Sequence, residues 1–362
     1  MASNELFEAA AYLYSEDLVD EEEFMFLVKE SEDKAPVFPY WKYPRFTLEE
    51  MNEDECISEF RFEKQDIPRL AKVIKVPEKI VCVNGTVASQ TEGLCLFLKR
   101  FSYPCRLRDM ISRFGRSKYE LCLISNQIMR HVADSFQHLL MTFEQQWLQT
   151  EQLEGYANAV FRQSQALDNC WGFIDGTVRP ICRPVENQKT VYNGHKRVHA
   201  LKYQAVVAAN GLIANLYGPV EGKRHDARLL RESGIIQLLE NHSNRLDGTP
   251  LCIYGDPAYP LRPHLQAPFK NNHLTEEQQA YNKAMSKVRD SVEWVFGEIL
   301  QYFAFVDFKK NQKIALSEIG KMYRACALLH NARTCLYGSS VSRFMDIEPP
   351  SLETYFQYDQ QN

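Results

Sequence analysis

No stretch of this 362-residue chain stays apolar over the roughly 18 residues that a membrane-spanning helix requires. The opening text MASNELFEAAAYLYSEDLVDEEEF has no basic region ahead of an apolar one, so a soluble chain without a secretory signal is expected. None of the ten cysteines stands in a CxxC pair; the closest are Cys95/Cys105, Cys326/Cys335 and Cys170/Cys182. That excludes zinc-finger and dithiol redox spacing. Most cysteines sit inside apolar runs such as LCLFL, PLCIYGD and RACALLH, which reads as buried free thiols in a reducing compartment. The sequon Asn84-Gly85-Thr86 would matter only in a secreted chain. Internal repeats are absent. What is abundant is apolar side chain, 45% of residues, enough to bury a substantial core in two domains or one large one.

The net charge of −5 argues against a nucleic-acid enzyme until it is divided by region. Positions 1–60 hold 17 acidic and 4 basic residues, a net of −13; the remainder holds 30 acidic and 38 basic, a net of +8. The body is therefore mildly basic, as a phosphate-binding surface requires.

Four segments are expected: an acidic leader of uncertain order at 1–45, an all-helical domain at 46–165, a mixed α/β domain at 166–338 and a tail at 339–362, with a helix–turn–helix pattern at 106–132 inside the helical part. Thr47-Leu48-Glu49-Glu50 reads as a capping box. Residues 107–114 read as a short helix stopped by Gly115, after which Ser117 caps a long helix with Leu121, Ile124, Ile128, Met129 and Val132 on one face. Near residue 170 the period changes. CWGFID is a strand; 201–209 and 212–220 are two strands joined by Asn210-Gly211, a type I′ hairpin signal. A helix at 226–240, a strand at LCIYGD, a fifth strand at LQAPF, a long helix from Thr275 to about residue 301 and a last helix at 316–336 follow. The order describes a mixed sheet flanked by helices.

Three acids stand at special places in that order. Asp175 ends the first strand, Asp256 ends the fourth, and Glu293 lies in the long helix, so carboxylates distant in sequence converge. Like charges a few ångströms apart raise one another's pKa, and divalent cations remove the conflict. Hard oxygen ligands select Mg²⁺ or Mn²⁺, and two such ions roughly 3.5–4 Å apart clamp the attacking and leaving oxygens of a phosphodiester. Each acid alone has a plainer reading: a turn at Asp175-Gly176, a loop start at Asp256-Pro257, and a surface pair between Glu293 and Arg289 one turn earlier. Asp226 either joins the metal ligands or caps the helix it begins. His225 and Arg289 are placed to orient phosphate or carboxylate.

The text IDGT with a following Arg-Pro, then GKRHDARLLRESG, YGDPAYPLRPHLQAPFK, RDSVEWVFGEIL and ALLHN, resembles the DDE nuclease domain of PIF/Harbinger transposases and the nucleases derived from them, over about 165–335. The resemblance implies an RNase H-like fold in which Asp175, Asp256 and Glu293 form the catalytic triad. Only 36 residues separate Asp256 from Glu293, which leaves no room for a large insertion domain. Pro257, Ala258 and Glu298 depart from the family's usual residues without removing a ligand.

The most basic stretch, 99–118, has seven basic residues and one acid. It resembles the family's helix–turn–helix, which makes Lys99, Arg100, Arg106, Arg108, Arg113, Arg116 and Lys118 DNA-contact residues by expectation, with a solvated basic face of a helical bundle as the other reading. Lys189, Lys196, Arg197, His199 and Lys202, before or on the hairpin, would line the path of a strand to the metals. The expected activity is metal-dependent DNA cleavage, with end joining open. The alternatives are a domesticated nuclease and a catalytically silent DNA-binding or scaffold protein. Members of the resembled family work with a Myb/SANT-like DNA-binding protein, which implies such a partner here beside DNA, with action in the nucleus and the cytoplasm as a second compartment. A homodimer is a further expected assembly.

Overall fold

The computed structural model describes residues 11–16, 38–271, 273–314 and 316–357. Most of the acidic leader lies outside them. The chain first builds a helical part. At its start Thr47 gives only a 3₁₀ turn, Leu48–Glu50, with no side-chain cap. The capping box forms later, at the first turn of α1 (Glu53–Phe60), where Asn52 accepts from the Glu55 N–H at 2.8 Å and Glu55 accepts from the Asn52 N–H at 3.1 Å. Asparagine is the stronger N-cap, and three acids in that turn suit the helix N-terminus.

After α2 (Asp66–Val73) comes a correction to the all-helical expectation. Lys79–Val81 (β1) and Val87–Ser89 (β2) pair antiparallel, with Asn84-Gly85 at the turn. Then follow α3 (Gln90–Ser102), the short α4 (Ile111–Phe114) stopped by Gly115, and α5 (Lys118–Ser135). Ser117 and Glu120 form the capping box of α5, and its five apolar-face residues are all buried. The last helix of this part, α6 (Thr150–Ser164), packs on the sheet.

The sheet has strands β3 (Cys170–Pro180), β4 (Tyr192–Asn193), β5 (Val198–Ala208), β6 (Ile213–Glu221), β7 (Cys252–Tyr254) and β8 (Leu265–Gln266). Its order is β6-β5-β3-β7-β8, with β4 also on β5. Strand β3 is central: antiparallel to β5 and parallel to β7. Cys170 to Ile174 are all buried, the pattern of a strand covered on both faces. Asp175 does not end β3 as expected, because antiparallel pairing with β5 carries the strand on to Pro180. The parallel pairing with β7 stops at Phe173↔Tyr254. Asp175 therefore sits where the sheet opens on one side only.

The β5–β6 hairpin turns at Asn210-Gly211 as expected, with a different geometry. Only Gly211 has positive φ, at 82°; Asn210 does not, so the turn is not type I′. The Gly211 N–H donates to Ala208 O at 2.9 Å, and the buried Asn210 amide donates to Tyr156 Oη at 2.8 Å. Helix 226–240 is split at Ser233-Gly234 into α7 (Asp226–Glu232) and α8 (Ile235–His242), with Gly234 in the left-handed region. The long helix from Thr275 is likewise split at Asp290 into α9 (Glu276–Arg289) and α10 (Ser291–Tyr302). Helix α11 (Ile319–Tyr337) is followed by α12 (Ser340–Met345) and α13 (Leu352–Tyr355), so the segment read as a tail buries Val341, Met345, Leu352 and Tyr355. One continuous core runs from Leu48 to Phe356. All ten cysteines are free. Among the described residues no helix is long and apolar enough to cross a membrane.

Two polar groups lock α11 in place. Asn331 accepts from the Ile213 N–H and donates to Ile213 O, both at 2.9 Å, and so covers one edge position of β6. Glu298 of α10, buried, accepts from His330 Nε2 at 3.0 Å and from the Ser340 N–H at 2.8 Å. A carboxylate only accepts, which makes Nε2 the protonated imidazole nitrogen. Burial alone would raise the Glu298 carboxyl, but these donors outweigh it and hold it at about 2, below its ordinary 4.5. A depressed folded pKa contributes stability above pH ~4.5 that is lost as pH falls towards 2. We predict that Glu298→Ala costs about 3 kcal/mol near pH 7, the range for breaking a buried pair. Urea unfolding at pH 7 and pH 3 checks this: the cost should be clearly smaller at pH 3.

Candidate active site

One stripe of α10, Glu293, Phe296, Gly297 and Leu300, faces Asp175, Thr177 and Arg179 of β3 across a cavity of about 600 Å³ that Lys196 also lines. The stripe follows the helical period, so α10 presents one face, while β3 lines the cavity with the consecutive residues 175–180. Asp175 and Glu293 are joined by one guanidinium: Arg289 Nη1 stands 3.3 Å from Asp175 Oδ2, and Nη2 stands 3.4 Å from Glu293 Oε1. The surface pair that offered the plainer reading of Glu293 is thus present, and the same arginine reaches the central strand.

Asp256 follows β7 and lies outside the lining of this cavity, yet it is near enough to Asp175 to push that carboxyl upwards. One of its oxygens accepts the Ala258 N–H at 2.9 Å, a local turn through Pro257. Asp226 begins α7 but makes no cap hydrogen bond. Its Oδ1 instead faces Lys202 Nζ at 2.7 Å, a charge contact rather than a well-directed hydrogen bond. The same oxygen lies beside Gly176, where a Cβ would stand 2.5 Å away. The glycine of IDGT thus leaves room for Asp226 against the Gly176 face of β3. His225 is exposed, and its imidazole has no hydrogen-bond partner among the described residues.

Sequence reading passed over two residues here, Arg179 and Gln204, and misplaced a third. Lys202 is buried and paired with Asp226, not lining an outer path. Arg179 lines the cavity, donates to Thr177 Oγ1 at 2.5 Å and faces Asp307 at 3.9 Å. Gln204 meets Tyr259 Oη at 3.4 Å and donates to Ser233 at 3.2 Å. Tyr259 is buried, and desolvation together with Asp226, Asp175 and Asp256 keeps its hydroxyl well above the usual value. Four carboxylates thus share one electrostatic neighbourhood.

The donors are hard oxygens of the kind that suit Mg²⁺ or Mn²⁺, and Asp175 is a half-buried carboxylate not fully compensated by Arg289. The donor chemistry fits a divalent cation. As placed, however, no three His, Cys, Asp or Glu groups among the described residues are grouped to hold one, because arginine and lysine charges stand between the acids.

The basic stretch 99–118 is largely engaged within the protein. Lys99 pairs with Glu59 at 2.5 Å and Arg113 with Glu55 at 3.5 Å. Arg116 is buried, bound to Glu92 at 2.5 Å and Glu120 at 3.2 Å, so its charge is directed inwards. Arg100 lies over the Phe305 ring, 4.2 Å from its centroid. Arg106 and Arg108 are exposed, and Lys118 is half-buried beside Tyr119. Lys196 and Arg197 are exposed near the cleft mouth.

Burial pushes the Asp175 carboxyl from its ordinary 3.8 up to about 6; the Gly176 N–H and Arg289 pull it down, while Asp256 and Glu293 push it up. A raised folded pKa means stability that is fully present below pH ~4 and lost as pH rises through 6. The cost at pH 8 is about 3 kcal/mol. We predict that metal-free Asp175→Asn is more stable than the wild type at pH 8 and loses that advantage by pH 4. Paired melting curves across this range check it; an advantage independent of pH would contradict the assignment.

Residues 174–331 match the family described as DDE superfamily endonuclease. Over 124 residues, 34% of this chain and 43% of the relative, the sequence is 29% identical to a protein described as a probable transposase for insertion sequence element IS702, from Microchaete diplosiphon. The match thus spans less than half the length of that relative. No solved structure matches the chain. The matched span begins at Ile174 and ends at Asn331, enclosing Asp175, Asp226, Asp256 and Glu293. Residues 174–331 therefore form a DDE superfamily endonuclease domain.

Proposed function

We propose that the chain is a divalent-metal-dependent DNA endonuclease of the transposase type, of the PIF/Harbinger kind, built on an RNase H-like sheet. The observation that carries this reading is the shared cleft of Asp175 and Glu293, with Asp256 in electrostatic reach. Asp175, Asp256 and Glu293 would hold Mg²⁺ or Mn²⁺, with Asp226 beside them. Such ions, when bound, stabilise the attacking and leaving oxygens of a phosphodiester. The chain's own contribution is position and charge. Lys196 and Arg197 present cations to a DNA backbone at the cleft mouth, and Arg179, fixed on Thr177, offers another at its floor. Arg289 neutralises Asp175 and Glu293 before cations arrive.

The engaged state of Lys99, Arg113 and Arg116 supports weak DNA affinity for this chain alone. That in turn favours a separate Myb/SANT-like DNA-binding partner acting with it in the nucleus. Arg106, Arg108 and Lys118 remain as the residues of the helix–Gly–helix stretch available to DNA.

Asp175→Ala, Asp256→Ala and Glu293→Gln are each expected to lower cleavage of end-sequence DNA in Mg²⁺ or Mn²⁺ by at least a hundredfold, with the fold retained. Asp226→Asn should keep part of the activity. Gel assays with circular dichroism controls check this, and full activity in any one of the first three would remove that residue from the site. Arg116→Ala should destabilise the protein by about 3 kcal/mol, whereas Arg106→Ala and Arg108→Ala should stay within about 0.5 kcal/mol and weaken DNA binding. Melting and anisotropy measured on the same variants separate the two groups.

A further inference from the structure

A second cavity, of about 330 Å³, opens between α3, α5 and residues of the segment 305–322. Its walls combine apolar groups with cations: Phe101, Met129 and Phe305 beside Arg100, Lys310 and Lys313. At the rim, Arg130 is compensated by Glu318 at 2.5 Å. The other three cations have no carboxylate partner among the described residues.

Two groups in this cavity have unmet donors. Arg100 donates from Nη1 to Cys105 O at 2.6 Å and rests on the Phe305 ring, which leaves Nη2 and Nε without an acceptor. Desolvation pulls its guanidinium below the ordinary value. Ser125 is only 2% exposed, and its Oγ has no hydrogen-bond partner. A serine inside a helix commonly bonds back to the preceding turn; this one lines the cavity instead. The buried Ser125 hydroxyl carries the cost of an unmade hydrogen bond, which an acceptor in the cavity would recover, while the same acceptor would meet the free donors of Arg100. A phosphate group offers several oxygens at once to donors arriving from three different elements, and the aromatic and methionine wall suits the sugar or base attached to it.

We propose that this cavity binds a nucleotide phosphate, carried by a DNA strand or by a free nucleotide, between Arg100, Ser125, Lys310 and Lys313. Where DNA is the source, the site extends the proposed nuclease's DNA path away from the cut and rests on that reading. Where a free nucleotide is the source, it stands without it.

The test uses the full chain with two probes, inorganic pyrophosphate by calorimetry and a short DNA duplex by anisotropy over a salt series. The variants are Lys310→Glu/Lys313→Glu, both at exposed positions, and Ser125→Ala; Lys75→Glu/Lys79→Glu on the helical part controls for total charge. We expect the wild type to bind pyrophosphate, the cavity double variant to weaken it at least tenfold, Ser125→Ala to weaken it about threefold, and the control to leave it unchanged. If DNA carries the phosphate, the salt slope of duplex binding falls by about 2 in the double variant. If a free nucleotide carries it, that slope is unchanged and AMP or ADP competes with pyrophosphate. Absence of pyrophosphate binding by the wild type, or equal binding by wild type and both cavity variants, overturns the proposal. Asp175→Ala should keep pyrophosphate binding while losing cleavage, so this inference and the nuclease reading fail separately.

Discussion

The structure around the cleft is organised by one electrostatic problem: carboxylates brought together on and beside a central strand whose first half is buried. Two unit charges 4 Å apart interact by about 4 kcal/mol in a partly buried setting. Asp175 bears most of this because β3 continues past it, with β5 on one side and α10 above. Two cations, Arg289 and Lys202, are drawn directly against the acids. The short approach between Gly176 and Asp226 and the buried Tyr259 ring follow from the same crowding. Residues that look like separate motifs in the sequence are parts of one charge arrangement.

Much of this was legible beforehand because strand and helix periods are local. The mixed sheet, the β5–β6 hairpin and the amphipathic face of α5 all follow from apolar spacing. The three acids could be picked out because each stands beside a strand end or in a helix crossing it, although Asp175 proved to be inside its strand. What spacing cannot show is where a neighbouring strand stops. Asp175 is at an end only with respect to β7, and that depends on the length of a partner 80 residues away. The β1–β2 hairpin was marked by Asn84-Gly85, the same dipeptide that marked β5–β6. It was passed over because its strands are three residues long and lie in helical surroundings.

Charge was the least transferable signal. Seven basic residues against one acid in 99–118 suggested a DNA face, but the acids that engage Lys99, Arg113 and Arg116 are Glu59, Glu55, Glu92 and Glu120, all of them outside that window. The acidic balance at the start of the chain is thus partly structural: Glu55 and Glu59 of α1 hold the basic helices. Conversely the unpaired cations at Arg100, Lys310 and Lys313 are far apart in sequence and become a cluster only when α3 meets the 305–322 segment.

The break at Asp290 shows how backbone and charge act together. Had α9 and α10 been one straight helix, Arg289 and Glu293 would be an ordinary surface pair one turn apart. Asp290 instead ends α9, and both the Glu293 and Trp294 N–H groups turn back to its carbonyl, at 3.1 and 3.4 Å. Helix α10 then begins afresh, with Glu293 in its first turn, where the helix N-terminus favours negative charge. Arg289, in the last turn of α9, lies where a helix favours positive charge. The break therefore places a cation-favouring end and an anion-favouring end against each other beside Asp175. The same step aims Arg289 across to β3 while leaving Glu293 on the open side of the cleft, its side chain 59% exposed against 17% for Asp175. The two acids thus differ in kind: one is held by the sheet, and the other stands on the open side of the cleft, tied to the first through Arg289.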